Sequence, residues 1–123
     1  MNNVKVDTSG LNEALKIYSD EVVEKIDRDA QKIANSAASE LRNTSPKETG
    51  DYAKGWKVQK VKTRYGTSCT IYNSTKPGLT HLLENGHATR NGGRAPAHPH
   101  IKRVEEQVIK EFEEAVRRDA DDG

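Results

Sequence analysis

The chain has one cysteine, one methionine, one tryptophan and one phenylalanine among 123 residues. A single Cys69 excludes an intrachain disulfide and a cysteine-based zinc cluster. Its setting, Thr67-Ser68-Cys69-Thr70-Ile71, is that of a small residue buried on a strand rather than of a reactive thiol. No run approaches the roughly 18 apolar residues of a membrane span, and Met1-Asn2-Asn3-Val4-Lys5 lacks the apolar stretch of a secretion signal. The expectation is a protein made and kept in the cytosol. Charge of one sign is also lacking: 20 Lys and Arg balance 19 Asp and Glu, for a net +1. Such a balance does not suit a disordered chain or a bulk binder of polyanions.

Apolar residues are scarce too. They make up 33% of the chain, against roughly 45–50% apolar plus glycine in an ordinary globular protein. With so few aromatics the core must come from Val, Ile, Leu and Ala. A lean core beneath a surface rich in charge implies one domain, residues 1–123, that is completed by partners or by copies of itself.

What is present is periodicity. Leu11, Leu15, Tyr18, Val22, Ile26, Ala30, Ile33, Ala37 and Leu41 step by three and four, the stripe of one α-helix. The spacing predicts a helix from about Leu11, capped within Thr8-Ser9-Gly10, to about Asn43, because Pro46 disfavours helical geometry at Ser45. At ~1.5 Å per residue, 31 residues would span about 46 Å and overhang a domain of this size, unless the helix kinks near Asn35-Ser36 or a neighbour covers it.

Trp56–Arg64 and Thr67–Asn73, joined at Tyr65-Gly66, read as a β-hairpin with Trp56 and Val58 on one face and Cys69 and Ile71 on one face of the return strand. Pro77-Gly78 marks a turn, and Thr80–Glu84 a short helical turn. Residues 86–99 carry Gly86, Gly92, Gly93, Pro96 and Pro99 and read as a flexible loop with one short strand near Ala95–His98. From Pro99 or His100 to Arg118, Ile101, Val104, Val108, Phe112, Ala115 and Val116 restore the helical step, and Ala120–Gly123 should fray. The fold class is α+β: long N-terminal and C-terminal helices packed on a small, mostly antiparallel sheet.

No arrangement of side chains announces catalysis. Ser45, Ser68 or Cys69 beside any histidine is a pairing chance supplies, and neither a nucleophile elbow nor a phosphate loop is present. No cofactor motif occurs. Four histidines raise a metal reading, since His81, Glu84 and His87 are three apart and His98 and His100 flank Pro99. Asn85-Gly86, however, would break the helix before His87 aligned. Glu84, alone among apolar residues, reads as an anchor for backbone N–H groups or for an arginine of the loop. Residues 85–103 hold Arg90, Arg94, Lys102 and Arg103 and no acid, whereas the C-terminal helix is acidic. Its Glu106–Lys110, Glu113–Arg117 and Glu114–Arg118 satisfy i,i+4 pairing. The loop cations, with Glu84, are the candidate interface to a neighbouring subunit. Weak contact with DNA phosphates is the rival, with no recognition motif to support sequence-specific binding.

Three blocks stand out: Ser45-Pro46-Lys47-Glu48-Thr49-Gly50-Asp51-Tyr52, His81-Leu82-Leu83-Glu84-Asn85-Gly86-His87, and Pro96-Ala97-His98-Pro99-His100. Their order between two helices resembles the lambdoid "gene product ten-like" family of head–tail joining and tail-completion proteins of long-tailed bacteriophages. Ser45, Pro46, Thr49, Gly50 and Tyr52 carry the first block of the resemblance, Leu82, Leu83, Glu84 and Gly86 the second, Pro96 and Pro99 the third. His81, His87 and His100 depart from the family's usual residues. The resemblance implies a non-enzymatic virion component of the phage neck. Such a subunit assembles into a ring between head and tail, beside portal, head-closure or tail-terminator proteins. The alternative reading is a small dimeric module associated with nucleic acid, or one like a toxin–antitoxin protein.

Overall fold

The computed structural model describes residues 3–8, 19–47, 50–63 and 66–122. It is α+β, in the order β1 (Val4–Asp7), α1 (Asp20–Thr44), α2 (Asp51–Lys54), β2 (Trp56–Thr63), β3 (Gly66–Asn73), α3 (Leu79–Asn85), β4 (His87–Ala88), β5 (Arg94–Ala95) and α4 (Ile101–Asp122). One antiparallel sheet has the order β1-β3-β2, with Val6 opposite Cys69 and Val58 opposite Ile71. A separate two-stranded ribbon pairs β4 with β5.

The first long helix does not run unbroken from Leu11. Ser19 is extended (φ −69°, ψ 158°), and its hydroxyl accepts the N–H of Val22, so the helix begins at Asp20. Asp20 and Glu21 then sit where the helix dipole favours acids. A period of 3.6 does not register a single extended residue, which is why the apolar stripe continued across the cap. Residues 9–18 and Thr49, on which other expectations fell, lie outside the described residues. The far end behaves as Pro46 requires. Ser45 is extended (φ −67°, ψ 148°), and its N–H closes the last turn on the Leu41 carbonyl.

Strand β1 was not visible in the sequence, since four residues with only Val4 and Val6 alternating are too short a signal. It completes the sheet on the β3 side, and both valines are buried. The C-terminal helix starts at Ile101 rather than Pro99 and continues through the acidic tail expected to fray.

The helices lie on one face of the sheet. Ala30, Ala34, Ala37 and Ala38 bring the α1 backbone close to Val4, Val6, Cys69 and Ile71, and Ile101, Val104 and Val108 of α4 close the same core. At the opposite end Val22 and Ile26 pack against Phe112 and Val116, so α1 and α4 run antiparallel. Arg118 leaves Glu114 unengaged and reaches Asp29 of α1 instead, at 2.9 Å, beside the buried Asp119. Cys69 is fully buried opposite Val6, and burial pushes its thiol up. Thr8, also fully buried, ties the sheet to α1 by donating to Asp27 at 2.6 Å.

Candidate functional site

The three sequence blocks converge where α1 ends, α3 ends and α4 begins. Ser45 stops α1, and its hydroxyl accepts the indole N–H of Trp56 at 2.8 Å in the buried interior. Gly50, left-handed at φ 82°, turns the chain into the single helical turn of α2, which sets Tyr52 against Trp56, edge to face with ring centroids 5.7 Å apart. His100 completes the cluster, edge-on to both rings. Asn73 locks it from the sheet: its amide donates to the Tyr52 carbonyl at 2.7 Å and its side-chain oxygen accepts from the Lys76 N–H. Sequence reasoning passed over Asn73; its one signal was an Asn at a strand end before Ser-Thr-Lys-Pro-Gly, where a side-chain turn is common.

Glu84 ties the second block to the third. One carboxylate oxygen accepts the N–H groups of His100 and Ile101, each at 2.9 Å, and the other accepts that of Lys102 at 2.9 Å. Those are orphan donors at the positive end of α4. Burial pushes the Glu84 carboxyl up, but the three N–H bonds and the nearby His100 outweigh it and hold the group below its ordinary value. Glu84 is only 9% exposed and therefore has little surface to offer a neighbour.

Tyr52 and His100 form a buried pair beside it. Burial, with the Glu84 charge adding to it, pushes the Tyr52 phenol up, so the O–H remains. It lies 2.8 Å from His100 Nε2, and His100 Nδ1 lies 2.6 Å from the His98 carbonyl oxygen and 3.1 Å from Glu84 Oε1.

Within residues 86–99, His87–Ala88 and Arg94–Ala95 pair as the β4–β5 ribbon. Gly86 breaks the helix at φ 75°, ψ 173°, and a Cβ there would lie 2.7 Å from the Ala95 carbonyl oxygen. The ribbon turns through Thr89 and Gly93, which are hydrogen-bonded at 2.9 Å, and is fastened to α3 where His98 N–H donates to the Leu83 carbonyl at 2.7 Å. The metal reading finds no geometry. His81 lies against Asn85, Glu84 turns to α4, His87 is carried into β4, and no cluster among the described residues could hold an ion.

Between α3, the ribbon and the Ser45-Pro46 corner lies a groove of about 770 Å³. Leu79, Leu82 and Leu83 of α3, Pro46 and Tyr52 of the corner, and His87, Ala95, Pro96 and His98 line it, together with Lys76 and Asp51. Leu79 and Leu82 are each 37% exposed. The loop cations are placed separately. Arg90 is exposed on the ribbon turn, Arg94 is exposed on β5 with its guanidinium donating to the Asn85 carbonyl, and Lys102 and Arg103 are exposed on the first turn of α4. Pro99 lies beside a second, shallower depression with Arg103, His98 and Pro46.

A family model described as "Bacteriophage HK97-gp10, putative tail-component" matches residues 9–86, more than half of the chain. The chain belongs to the HK97-gp10-like family. The match takes in α1, the sheet hairpin and α3 as far as Gly86, and so covers the first sequence block and the second up to Gly86. The ribbon, the Pro96–Pro99 block and α4 lie beyond it. Membership of the HK97-gp10-like family gives the chain a phage structural role of the tail-component kind. Comparison with curated proteins and with solved structures finds no match.

Proposed function

We propose that the protein is a ring-forming subunit of the phage neck, a head–tail connector or tail-completion protein that joins the capsid connector to the tail. Its work is burial of interface rather than catalysis. It would be assembled in the host cytoplasm and carried in the virion, beside portal, head-closure or tail-terminator proteins. The observation that carries this reading is the separation of opposite charge on one chain. Residues 85–103 carry four cations and no acid, while between Glu105 and Val116 five acids face one base. Patches that are different and complementary make head-to-tail contacts, and such contacts form a ring when the rotation between subunits closes. Near-neutral net charge agrees with a protein whose charges are meant for one another rather than for a polyanion.

Light scattering across protein and salt concentration tests it. A discrete species on the order of six or twelve subunits is expected, either alone or with a neck partner. A tight dimer insensitive to salt would overturn it in favour of a regulatory module.

A further inference from the structure

We propose that the open edge of β2, with the flank of α1 that runs along it, receives an extended acidic segment of a partner protein as an added strand. Strand β2 ends the sheet order β1-β3-β2, so one of its sides has no strand beside it among the described residues. Two bonds show which of its groups look outward. The Gly55 carbonyl accepts the Ser74 N–H at 2.7 Å, a hydrogen-bonded pair one step before Trp56 opposite Asn73. Such pairs alternate with open ones in an antiparallel ladder. Lys57, Gln59 and Val61 therefore bond to β3, while Val58, Lys60 and Lys62 turn their N–H and C=O groups outward. The Trp56 carbonyl obeys the same parity and is taken by Arg42 Nε at 3.1 Å. Val58 to Lys62 thus present a backbone edge of about 13 Å.

Charge selects the occupant. Helix α1 lies along this edge, since Arg42 reaches Trp56 and Lys60 Nζ donates to Gln31 at 2.8 Å. Gln31 and Arg42 are three turns apart, and Arg28, Asn35 and Ser39 fall on the same flank. From Arg28 to Arg42 that flank has no acid. Asp29 and Glu40 fall on the opposite side, where Asp29 meets Arg118, and Asp27 is turned to Thr8. Glu24, one turn before Arg28, marks the limit. Lys60 and Lys62 share the helix side of the sheet with Trp56, so four exposed cations, Arg28, Arg42, Lys60 and Lys62, border the open backbone. Residues 52–83 contain no acid. Edge lysines ordinarily keep sheets apart. Here they discriminate: β2 of a second copy would set lysine against lysine, whereas an acidic strand gains backbone bonds and charge together. A phosphate backbone would use the cations but leave the outward carbonyls without a donor. None of these residues enters the ribbon–α4 charge separation, so this contact and the ring can fail separately.

The probe is a fluorescein-labelled ten-residue peptide alternating Glu with Thr, titrated against the full-length protein by anisotropy. It should bind at least tenfold more tightly than the same peptide with Lys for Glu. The same margin should separate it from a peptide with Pro for a central Thr, which removes an edge N–H. Lys60→Glu with Lys62→Glu should lower binding at least tenfold while thermal unfolding stays that of wild type. Amide NMR shifts on binding should centre on Val58, Lys60 and Lys62. No binding at millimolar peptide, or shifts centred elsewhere, overturns the proposal. Equal binding of the proline peptide or of duplex DNA also overturns it, leaving a bare cation patch. If the double variant alters the oligomer in the absence of peptide, the occupant is a second copy and the proposal is overturned.

Discussion

The Glu84 carboxylate accepts the backbone N–H of His100 at 2.9 Å from sixteen residues earlier in the chain, and everything between them is the ribbon. One side chain therefore holds three things in register: the end of α3, the return of the ribbon and the first turn of α4. The strand side of the groove is fastened to α3 next to this point, where the His98 N–H donates to the Leu83 carbonyl.

Replacing Glu84 tests how much of the fold depends on that joint. Glu84→Gln keeps an acceptor but loses the charge, and should cost about 1–2 kcal/mol, with Glu84→Ala costing more, near 3 kcal/mol. The acid dependence carries a clear sign. A carboxyl held below its ordinary value in the folded state stabilises fully above the unfolded value of about 4.3, and that contribution disappears as pH falls through the depressed value. Urea unfolding at pH 7 and at pH 3 should therefore show a loss in wild type that is smaller in Glu84→Gln.

Gly86 is the second fixed point. At φ 75° and ψ 173° an L side chain is strained, and a Cβ would meet the Ala95 carbonyl at 2.7 Å. Gly86→Ala should destabilise by about 2–3 kcal/mol and separate the ribbon from α3. Hydrogen exchange should show faster exchange at His98, whose N–H is bonded to Leu83.

Asp119 predicts a change of the opposite sign. Its carboxyl is buried where α4 passes α1, and one of its oxygens lacks a hydrogen-bond partner. Burial raises it above the ordinary carboxylate value, and neighbouring Asp29 adds to this against the pull of Arg118. A raised acid stabilises the fold only where it is protonated, and the contribution is lost as pH rises through the folded value. Asp119→Asn, which removes the charge and supplies a donor, should raise stability at pH 7 by about 1 kcal/mol. Its melting temperature should exceed that of wild type at pH 7 and approach it as the pH is lowered.

The helices were legible because burial and period coincide. Val22, Ile26, Ala30, Ile33, Ala37 and Leu41 are all buried, as are Ile101, Val104, Val108 and Ala115. The hairpin was legible for the same reason, through Trp56, Cys69 and Ile71. The cap at Ser19 was missed because an apolar stripe carries no information about one residue's φ and ψ, although Ser-Asp-Glu is a start signal in its own right. At the candidate site, Glu84 could be singled out as an acid among apolar residues, but its three partners lie sixteen to eighteen residues on, in a helix whose approach only the tertiary structure defines. His100 was hidden for the same reason. Its two side-chain partners, Tyr52 and Glu84, come from different elements, and no spacing along the chain joins them.

Assembly, finally, should depend on the sign of the ribbon charge. Arg90 and Arg94 are exposed and lie on the β4–β5 ribbon, with Arg94 donating to the Asn85 carbonyl. Reversing both as Arg90→Glu with Arg94→Glu leaves the core untouched, so the melting temperature should move by no more than about 0.5 kcal/mol allows. The oligomer is another matter. In the proposed subunit contact, two reversed charges would meet the acidic side of α4 and turn attraction into repulsion, and surface charge pairs act chiefly through encounter rate and salt dependence. Wild-type association should weaken as salt rises from 50 to 500 mM; the double variant should associate poorly at low salt and lose that handicap at high salt as the repulsion is screened. Sedimentation velocity at the two salt concentrations separates these outcomes. Identical association of both proteins across the range would show that the ribbon cations take no part in joining subunits.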